Sequence, residues 1–411
     1  MPIVNRRVTY KLCPSPAQAV AMERLCDLHR ALYNAALEER IEAYRKAGKS
    51  ISFADQCKSL TLIRRECPEY LAVNAQSAQV TLKRLDKAFG AFFRRVAAGQ
   101  TPGFPRFKGR DRFPGFGFKT QGDGFTFKPG DNWLHGRLRL SGVGTMDARG
   151  EARTPGRIVC ADIQRKADGW FLSLVVACEP HRERTADREC GLDWGVETFA
   201  TLAYGPDDFA AIPNDRHLAA EADAIKEQQR ALSKALRGKR SNRAAKARKL
   251  MAKRHRKVAN RRKNFLHQTT ARLAREHKII VTEELSVRNM TGSAKGMAEN
   301  PGSMVAQKAG LNRAILDTAP GSFNPMLAYK VEETGGELIS ISTRKHRPSQ
   351  TDPISGEVRK KPLSQRTHTL PDGRVIGRDE AAALVMLRVG LEKLGREPAW
   401  AARPETPARA A

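Results

Sequence analysis

The chain has 411 residues, with 73 Lys and Arg against 44 Asp and Glu, and a formal net charge of +29. Such a length exceeds what one hydrophobic core usually serves, so two or more packed units are expected. The positive excess disfavours an acidic-ligand scaffold or an ordinary metabolic enzyme and points to a polyanion, most simply nucleic acid.

Hydrophobic residues at 40% are enough for real cores. No run approaches the roughly 18 apolar residues of a membrane span, and the opening Met1–Arg7 lacks a secretory apolar stretch. A cytoplasmic protein with no membrane partner is expected. The seven cysteines (13, 26, 57, 67, 160, 178 and 190) are scattered and include no C-x-x-C pair. That pattern suits reduced, buried thiols and gives no zinc site.

Residues 6–12 alternate in polarity and predict a strand stopped by Pro14 and Pro16. From Pro16 to about Ala98 the apolar spacing is helical. Between about Thr101 and Glu179 the chain is strand-like and rich in Gly, Phe, Arg and Lys, as in Gly103-Phe104-Pro105-Arg106-Phe107-Lys108 and Phe125-Thr126-Phe127-Lys128. The economical architecture is a small β-barrel from 1–15 and 101–189, with a helical domain, 16–100, inserted in it. Rings interleaved with cations suit a nucleic-acid surface, where rings stack on bases and cations follow phosphates. Alternate rings equally suit a barrel interior. Both uses are expected.

A third region opens at Cys190 with Gly191-Leu192-Asp193-Trp194-Gly195-Val196 and an apolar 199–204, which predict a hairpin. Residues 219–276 read as helical, and 239–263 holds thirteen Lys and Arg with no acid between them. A run of one sign repels itself unless a polyanion lies against it. Arg254, Lys257 and Arg261 recur at three and four and share one face; Arg256 and Arg262 fall off it. A short strand follows at 278–285, then a helix over 303–329, a strand over 337–342, a turn-rich stretch to 377 and a last helix opening at Asp379. The tail from Arg396 is expected to be disordered.

Three acids stand where a βα nuclease fold would want them: Asp193 in the first strand of this region, Glu283 at the end of a later one, and Asp379 at the start of the last helix. Phosphodiester hydrolysis uses two divalent ions about 3.5–4 Å apart, and Mg²⁺ prefers carboxylate oxygens. Each residue has a plainer reading, with Asp193 as a turn former, Glu283 as a solvated strand end and Asp379 as a helix cap.

With these motifs the chain resembles the TnpB family, the RNA-guided nucleases of certain insertion sequences, and the related compact type V CRISPR effectors. The resemblance runs along nearly the whole chain. It rests on Tyr10–Gln18, Leu32-Tyr33-Asn34, Pro105-Arg106-Phe107-Lys108, Gly191–Val196, Glu283–Met290 and Arg378-Asp379-Glu380-Ala381-Ala382. It implies a mixed α/β protein with a RuvC/RNase H-like nuclease domain (190–346 and 374–395, with the basic helical insertion 219–276) beside the barrel and its helical domain. It also implies Asp193, Glu283 and Asp379 as catalytic ligands of two Mg²⁺ ions, with Mn²⁺ as a substitute, and guide RNA and target DNA as partners. Arg106, Lys108, Arg254, Lys257 and Arg261 are then the expected nucleic-acid contacts. The family's four zinc-binding cysteines are missing. Residues 347–373 keep the frame, as in Lys361-Pro362-Leu363-Ser364, but the ligand positions hold Asp352, Ser355, Leu370 and Gly373, so no zinc is expected. The Asn common two residues after the third acid is Ala381. The expected activity is RNA-guided DNA cleavage. The loss of the ribbon thiolates leaves a second possibility open: RNA-guided DNA binding with weak or no cleavage, acting by blocking transcription or recruiting a partner.

Overall fold

A computed structural model describes residues 3–179, 182–236, 241–297, 299–362, 364–398 and 400–401. It divides into two units, one up to Pro180 and one from His181.

The first unit begins with strand β1 (Val4–Cys13) and three helices, α1 (Pro16–Ala47), α2 (Phe53–Glu66) and α3 (Ala75–Ala97). Six strands follow: β2 (Gly115–Phe118), β3 (Phe125–Pro129), β4 (Leu134–Leu140), β5 (Gly144–Glu151), β6 (Arg157–Lys166) and β7 (Gly169–Cys178). Helix α1 starts where Ser15 and Gln18 form a reciprocal capping box ahead of Pro16, and it ends at Gly48 in the left-handed region. All seven strands form one antiparallel sheet in the order β2-β6-β7-β1-β5-β4-β3, with β1 central. The chain leaves this sheet after β1 to make the helices and returns at β2.

The sheet curls until its two edges meet, and Phe118 of β2 lies 5.4 Å from Phe125 of β3, ring to ring. Phe113, Phe116, Phe118, Phe125 and Phe127 are all buried inside. Of the rings expected to serve both core and surface, these belong to the core. Phe104 and Phe107, in the segment between α3 and β2, are about half exposed.

Where the helices meet the sheet, His29 of α1 is buried and stacked on Phe116 with 5.1 Å between ring centres. Its Nδ1 lies 2.9 Å from Thr81 Oγ1 and its Nε2 3.2 Å from Ser77 Oγ. The Thr81 hydroxyl donates to the Ser77 carbonyl, so Nδ1–H donates to Thr81 and Nε2 accepts from Ser77, which is the arrangement of a neutral ring.

The second unit opens with β8 (Arg188–Trp194), β9 (Thr198–Gly205) and β10 (Asp208–Pro213). Then come α4 (Ala222–Leu236), α5 (Asn242–Glu276), β11 (His277–Glu283), α6 (Val287–Met290), α7 (Val305–Thr318), α8 (Pro320–Glu333), β12 (Glu337–Ile341) and α9 (Thr343–His346). A small hairpin, β13 (Thr367–Thr369) and β14 (Val375–Gly377), leads into α10 (Arg378–Lys393). The five-stranded sheet has the order β10-β9-β8-β11-β12. The first three strands are antiparallel, whereas β8, β11 and β12 run parallel. Numbered within this unit the order is 3-2-1-4-5. Helices α5 and α8 pack together, and the buried Lys330 of α8 donates to the His267 carbonyl (2.6 Å) and Thr270 Oγ1 (2.6 Å) of α5.

Three sequence expectations shift. The boundary expected at residue 189 lies earlier, because Arg188 and Glu189 already pair with β11. The single helix expected over 303–329 is two, broken where Ala319 takes a left-handed conformation before Pro320, whose ring disfavours helical backbone in the preceding residue. The tail does not come free at Arg396, which pairs with Glu189 at 2.6 Å, and Trp400 packs beside the core under α10. Residues 402–411 of that tail, with Lys239 and Arg240 of the basic run, lie outside the described residues.

Burial, and then the Arg84 charge, holds the His29 pKa down at about 3. The unfolded ring titrates near 6.5. Between these values the unfolded chain binds a proton that the folded one refuses, so stability falls as pH drops below about 6.5. Urea unfolding should therefore show the parent losing about 2 kcal/mol more than His29→Gln between pH 7 and pH 5. Equal losses would show that His29 is not held neutral.

Candidate active site

Strands β8 and β11 are paired in register to Thr282↔Leu192. One residue further, Asp193 and Glu283 stand side by side on neighbouring strands, whose spacing is about 4.8 Å. Asp193 is itself in the β8–β9 ladder opposite Thr201, so it is no turn former. Helix α10 packs across β8, β9 and β11. It comes in so close that a Cβ on Gly191 would collide with the Ala383 carbonyl oxygen, and one on Gly390 with the Val281 side chain. That approach brings the start of α10, and Asp379 with it, to the same edge of the sheet. The cap of α10 is Gly377, whose amide donates to Glu380 Oε2 at 2.6 Å. Asp379 is left with no capping role, in a first turn whose dipole favours an anion.

Asp193 and Asp379 line a cleft of about 600 Å³ together with Asn214, Arg216, Asp317 and Arg366. Glu283 stands at the strand end beside Asp193, and Glu284 after it is exposed. Burial, then the neighbouring Glu283 and Asp379 charges, pushes the Asp193 carboxyl well above the usual range. Burial pushes Glu283 up to about 7. Hard oxygen donors that crowd and repel one another in this way suit a divalent cation such as Mg²⁺. Among the described residues no three His, Cys, Asp or Glu side chains are drawn together tightly enough to enclose an ion.

The cleft adds residues that the sequence reading missed. Asp317 of α7 accepts from Arg262 of α5 at 2.7 Å and from the Leu218 amide at 2.8 Å. Arg366 comes from the turn-rich stretch before β13, and Arg216 from the loop after β10. Nothing in their local sequence marks them, because only the fold brings these loops to the carboxylates.

The four expected ribbon positions form two tight turns. In the first, Asp352 Oδ1 accepts from the Ile354 and Ser355 amides (3.0 and 2.7 Å) and from Ser355 Oγ (3.0 Å). Its Oδ2 lies 2.7 Å from His368 Nε2, and Lys361 Nζ meets the other ring nitrogen. Those hydrogen bonds outweigh burial and keep the Asp352 pKa low. In the second turn Leu370 is buried and Gly373 has φ +86°. Arg388 of α10 donates to the Pro353 and Ile354 carbonyls (3.2 and 2.7 Å) and ties the first turn to the helix. A hydrogen-bonded carboxylate and an apolar plug stand at positions where thiolates would hold a metal.

The expected nucleic-acid residues fall into two groups. Arg106 is exposed in the segment before β2. Lys108 is fixed by its backbone, since Asn34 Oδ1 accepts from its amide (2.8 Å) and Asn34 Nδ2 donates to its carbonyl (3.1 Å). The distant motifs Leu32-Tyr33-Asn34 and Pro105-Arg106-Phe107-Lys108 thus meet. On α5, Arg254, Lys257 and Arg261 do share a face, and all three contact Glu221.

A sheet of this order, with acids on the adjacent strands β8 and β11 and on the helix that crosses them, has the RuvC-like nuclease fold. Residues 173–294 match a family model described as "Probable transposase" (OrfB_IS605), and residues 1–49 match its companion, described as "Helix-turn-helix domain". The latter span here is β1 and the single long helix α1. A Streptomyces pristinaespiralis protein named "Putative RNA-guided DNA endonuclease" is 29% identical over 94% of this chain and 90% of its own. An Escherichia coli K12 protein of the same description, InsQ, is 28% identical over 81% and 79%. A chain of the solved Cas12f1–sgRNA–target DNA complex shares the fold, with a TM-score of 0.58 at 11% identity over 94% of this chain and 99% of that one. These matches bear out the resemblance to the TnpB family and the compact type V effectors.

The close approach at Gly191 gives one test. Gly191→Ala sets a methyl against backbone that cannot yield, so it should destabilise the second unit by about 3 kcal/mol or more in urea unfolding. A midpoint equal to the parent's would show that α10 is free to move off β8. The ribbon positions give another. With no thiolate at 352, 355, 370 or 373, elemental analysis of the purified chain should find well under one zinc per molecule, and stoichiometric, chelator-resistant zinc would refute this.

Proposed function

We propose that this protein is an RNA-guided DNA endonuclease that holds a guide RNA and cuts the DNA paired to it. One observation carries the reading: Asp193 and Glu283 sit on adjacent parallel strands, with Asp379 in the first turn of the helix crossing them. The relatives' printed activity and the charge of +29 support the same substrate class. In such proteins base pairing selects the target, while the protein handles the backbone and a short flanking motif.

Asp193, Glu283 and Asp379 would hold the ions, Mg²⁺ or its substitute Mn²⁺. The chemistry that a bound pair supplies is activation of a water and stabilisation of the leaving oxygen. The three carboxylates must be ionised to serve; burial, and then the neighbouring Glu283 and Asp379 charges, oppose ionisation of Asp193, and a bound cation would offset both. Arg216 and Arg366 put positive charge along the cleft, suited to a strand's phosphates. The exposed Arg106 and the basic face of α5 would supply further contacts to the nucleic-acid backbone.

The second reading, RNA-guided binding without efficient cleavage, draws on the ribbon, whose metal-binding positions hold Asp352, Ser355, Leu370 and Gly373. One experiment separates the two. Purified protein with its co-purifying RNA, a matched DNA target and Mg²⁺ should cut. Asp193→Ala, Glu283→Gln and Asp379→Ala should each reduce cutting to background while RNA binding stays within about twofold, because RNA affinity rests on basic surface elsewhere. Cleavage at parental rate in any of the three would remove that residue from the metal set. An inactive parent that still binds its target would favour the second reading.

A further inference from the structure

The basic face of α5 faces a carboxylate of its own chain. Arg254, Lys257 and Arg261 reach Glu221 at 3.4, 3.3 and 3.1 Å. Glu221 lies just before α4, two residues after Ala219 in the wall of the catalytic cleft. Its side chain is 11% exposed, whereas the three cations above it are 38, 56 and 52% exposed. Lys257, bonded to it, and then the Arg261 and Arg254 charges hold its pKa below the usual carboxylate range. A groove of about 330 Å³ beside Lys253, Arg254 and Lys257 opens next to the cluster.

Three cations on one carboxylate leave an excess of two positive charges at an outward-facing site. A structural ion pair needs one partner for each charge, and exposed pairs of that kind contribute little. Three side chains converging on the oxygens of one buried anion form a receptor for an oxyanion. A backbone phosphate presents the same oxygens and charge from the solvent side, where the cations are already half exposed.

We infer that the Arg254–Lys257–Arg261 cluster is a phosphodiester-binding site, and that Glu221 is its resting occupant, an internal competitor for the nucleic-acid backbone. The inference rests on the nucleic-acid reading given above. Nucleic acid must draw the cations off Glu221 to bind here, so the carboxylate lowers affinity for any chance duplex. It weighs less against a ligand held by many other contacts.

The test uses the full chain and 20-bp DNA and RNA duplexes of arbitrary sequence, with binding followed by fluorescence anisotropy across a salt series. Glu221→Gln should bind roughly three- to tenfold more tightly at low salt. Its slope of log affinity against log salt should steepen by about one on DNA, the increment for one further neutralised phosphate. Glu221→Asp keeps the charge but withdraws it by one methylene, and should fall between parent and Gln variant; it serves if the Gln variant folds poorly. Glu227→Gln on α4 makes the same change in net charge at a carboxylate that pairs with none of the three cations and should leave affinity within about twofold. Equal tightening in Glu227→Gln, or unchanged or weaker binding in both Glu221 variants, would overturn the inference. If the parent bound neither duplex, the nucleic-acid reading itself would fail. If DNA and RNA responded alike the site reads phosphate alone, and a response confined to one of them would fix which backbone it meets.

Discussion

The packing of α10 against the sheet is the contact on which the candidate site depends. Asp193 and Glu283 are brought together by strand pairing alone, but Asp379 is more than ninety positions further along the chain from Glu283. It joins them only because Gly191 and Gly390 let a helix lie on the strands with no side chain between. Closer backbone approach needs smaller residues, and here the residues are the smallest available. The alanines at 381–383, buried on the same helix, extend that close contact. Ala381, two residues after Asp379, is one of them, so the helix is apolar and packed from the end of its first turn onward.

Much of this was legible beforehand. Asp193, Glu283 and Asp379 were marked by short motifs of strand and helix-start character, and those motifs are local, so the residues fall where the patterns put them. The barrel with its inserted helices was readable because strand 6–12 precedes a long helical period. What local pattern cannot carry is the direction in which a side chain faces. The phenylalanines of β2 and β3 recur at every second position, a spacing that fits either face, and curling of the sheet decided for the interior. The helix over 303–329 kept its apolar period through Ala319, so only Pro320 hinted at the break. The cleft arginines 216 and 366 were invisible, since each is one charge among many in a polar loop.

The same limit applies to charge. A basic run without acids between its members reads as a binding surface, and the spacing of Arg254, Lys257 and Arg261 correctly placed them on one face. Their partner, Glu221, is more than thirty residues earlier and ahead of a different helix. Asp317 likewise takes up Arg262 from a third helix. Long-range pairing thus tempers a field that composition alone overstates. In the ribbon, conversely, sequence showed only that thiolates were lost. The structure shows what took over: a carboxylate hydrogen-bonded by two amides, a hydroxyl and a histidine, with a buried leucine completing the second turn.

The curled sheet of the first unit is closed between β2 and β3 by aromatic side chains and by the short loop, 119–124, that joins the two strands. Strand β2 pairs only with β6, and β3 only with β4, so the line where Phe118 meets Phe125 crosses no ladder of hydrogen bonds. Every other strand boundary of that sheet must break a ladder of backbone bonds to part, whereas this one must unstack aromatic rings within the reach of the connecting loop. Local opening of the barrel is therefore cheapest at that aromatic seam, where the 119–124 loop acts as a tether that limits how far the two edges can part.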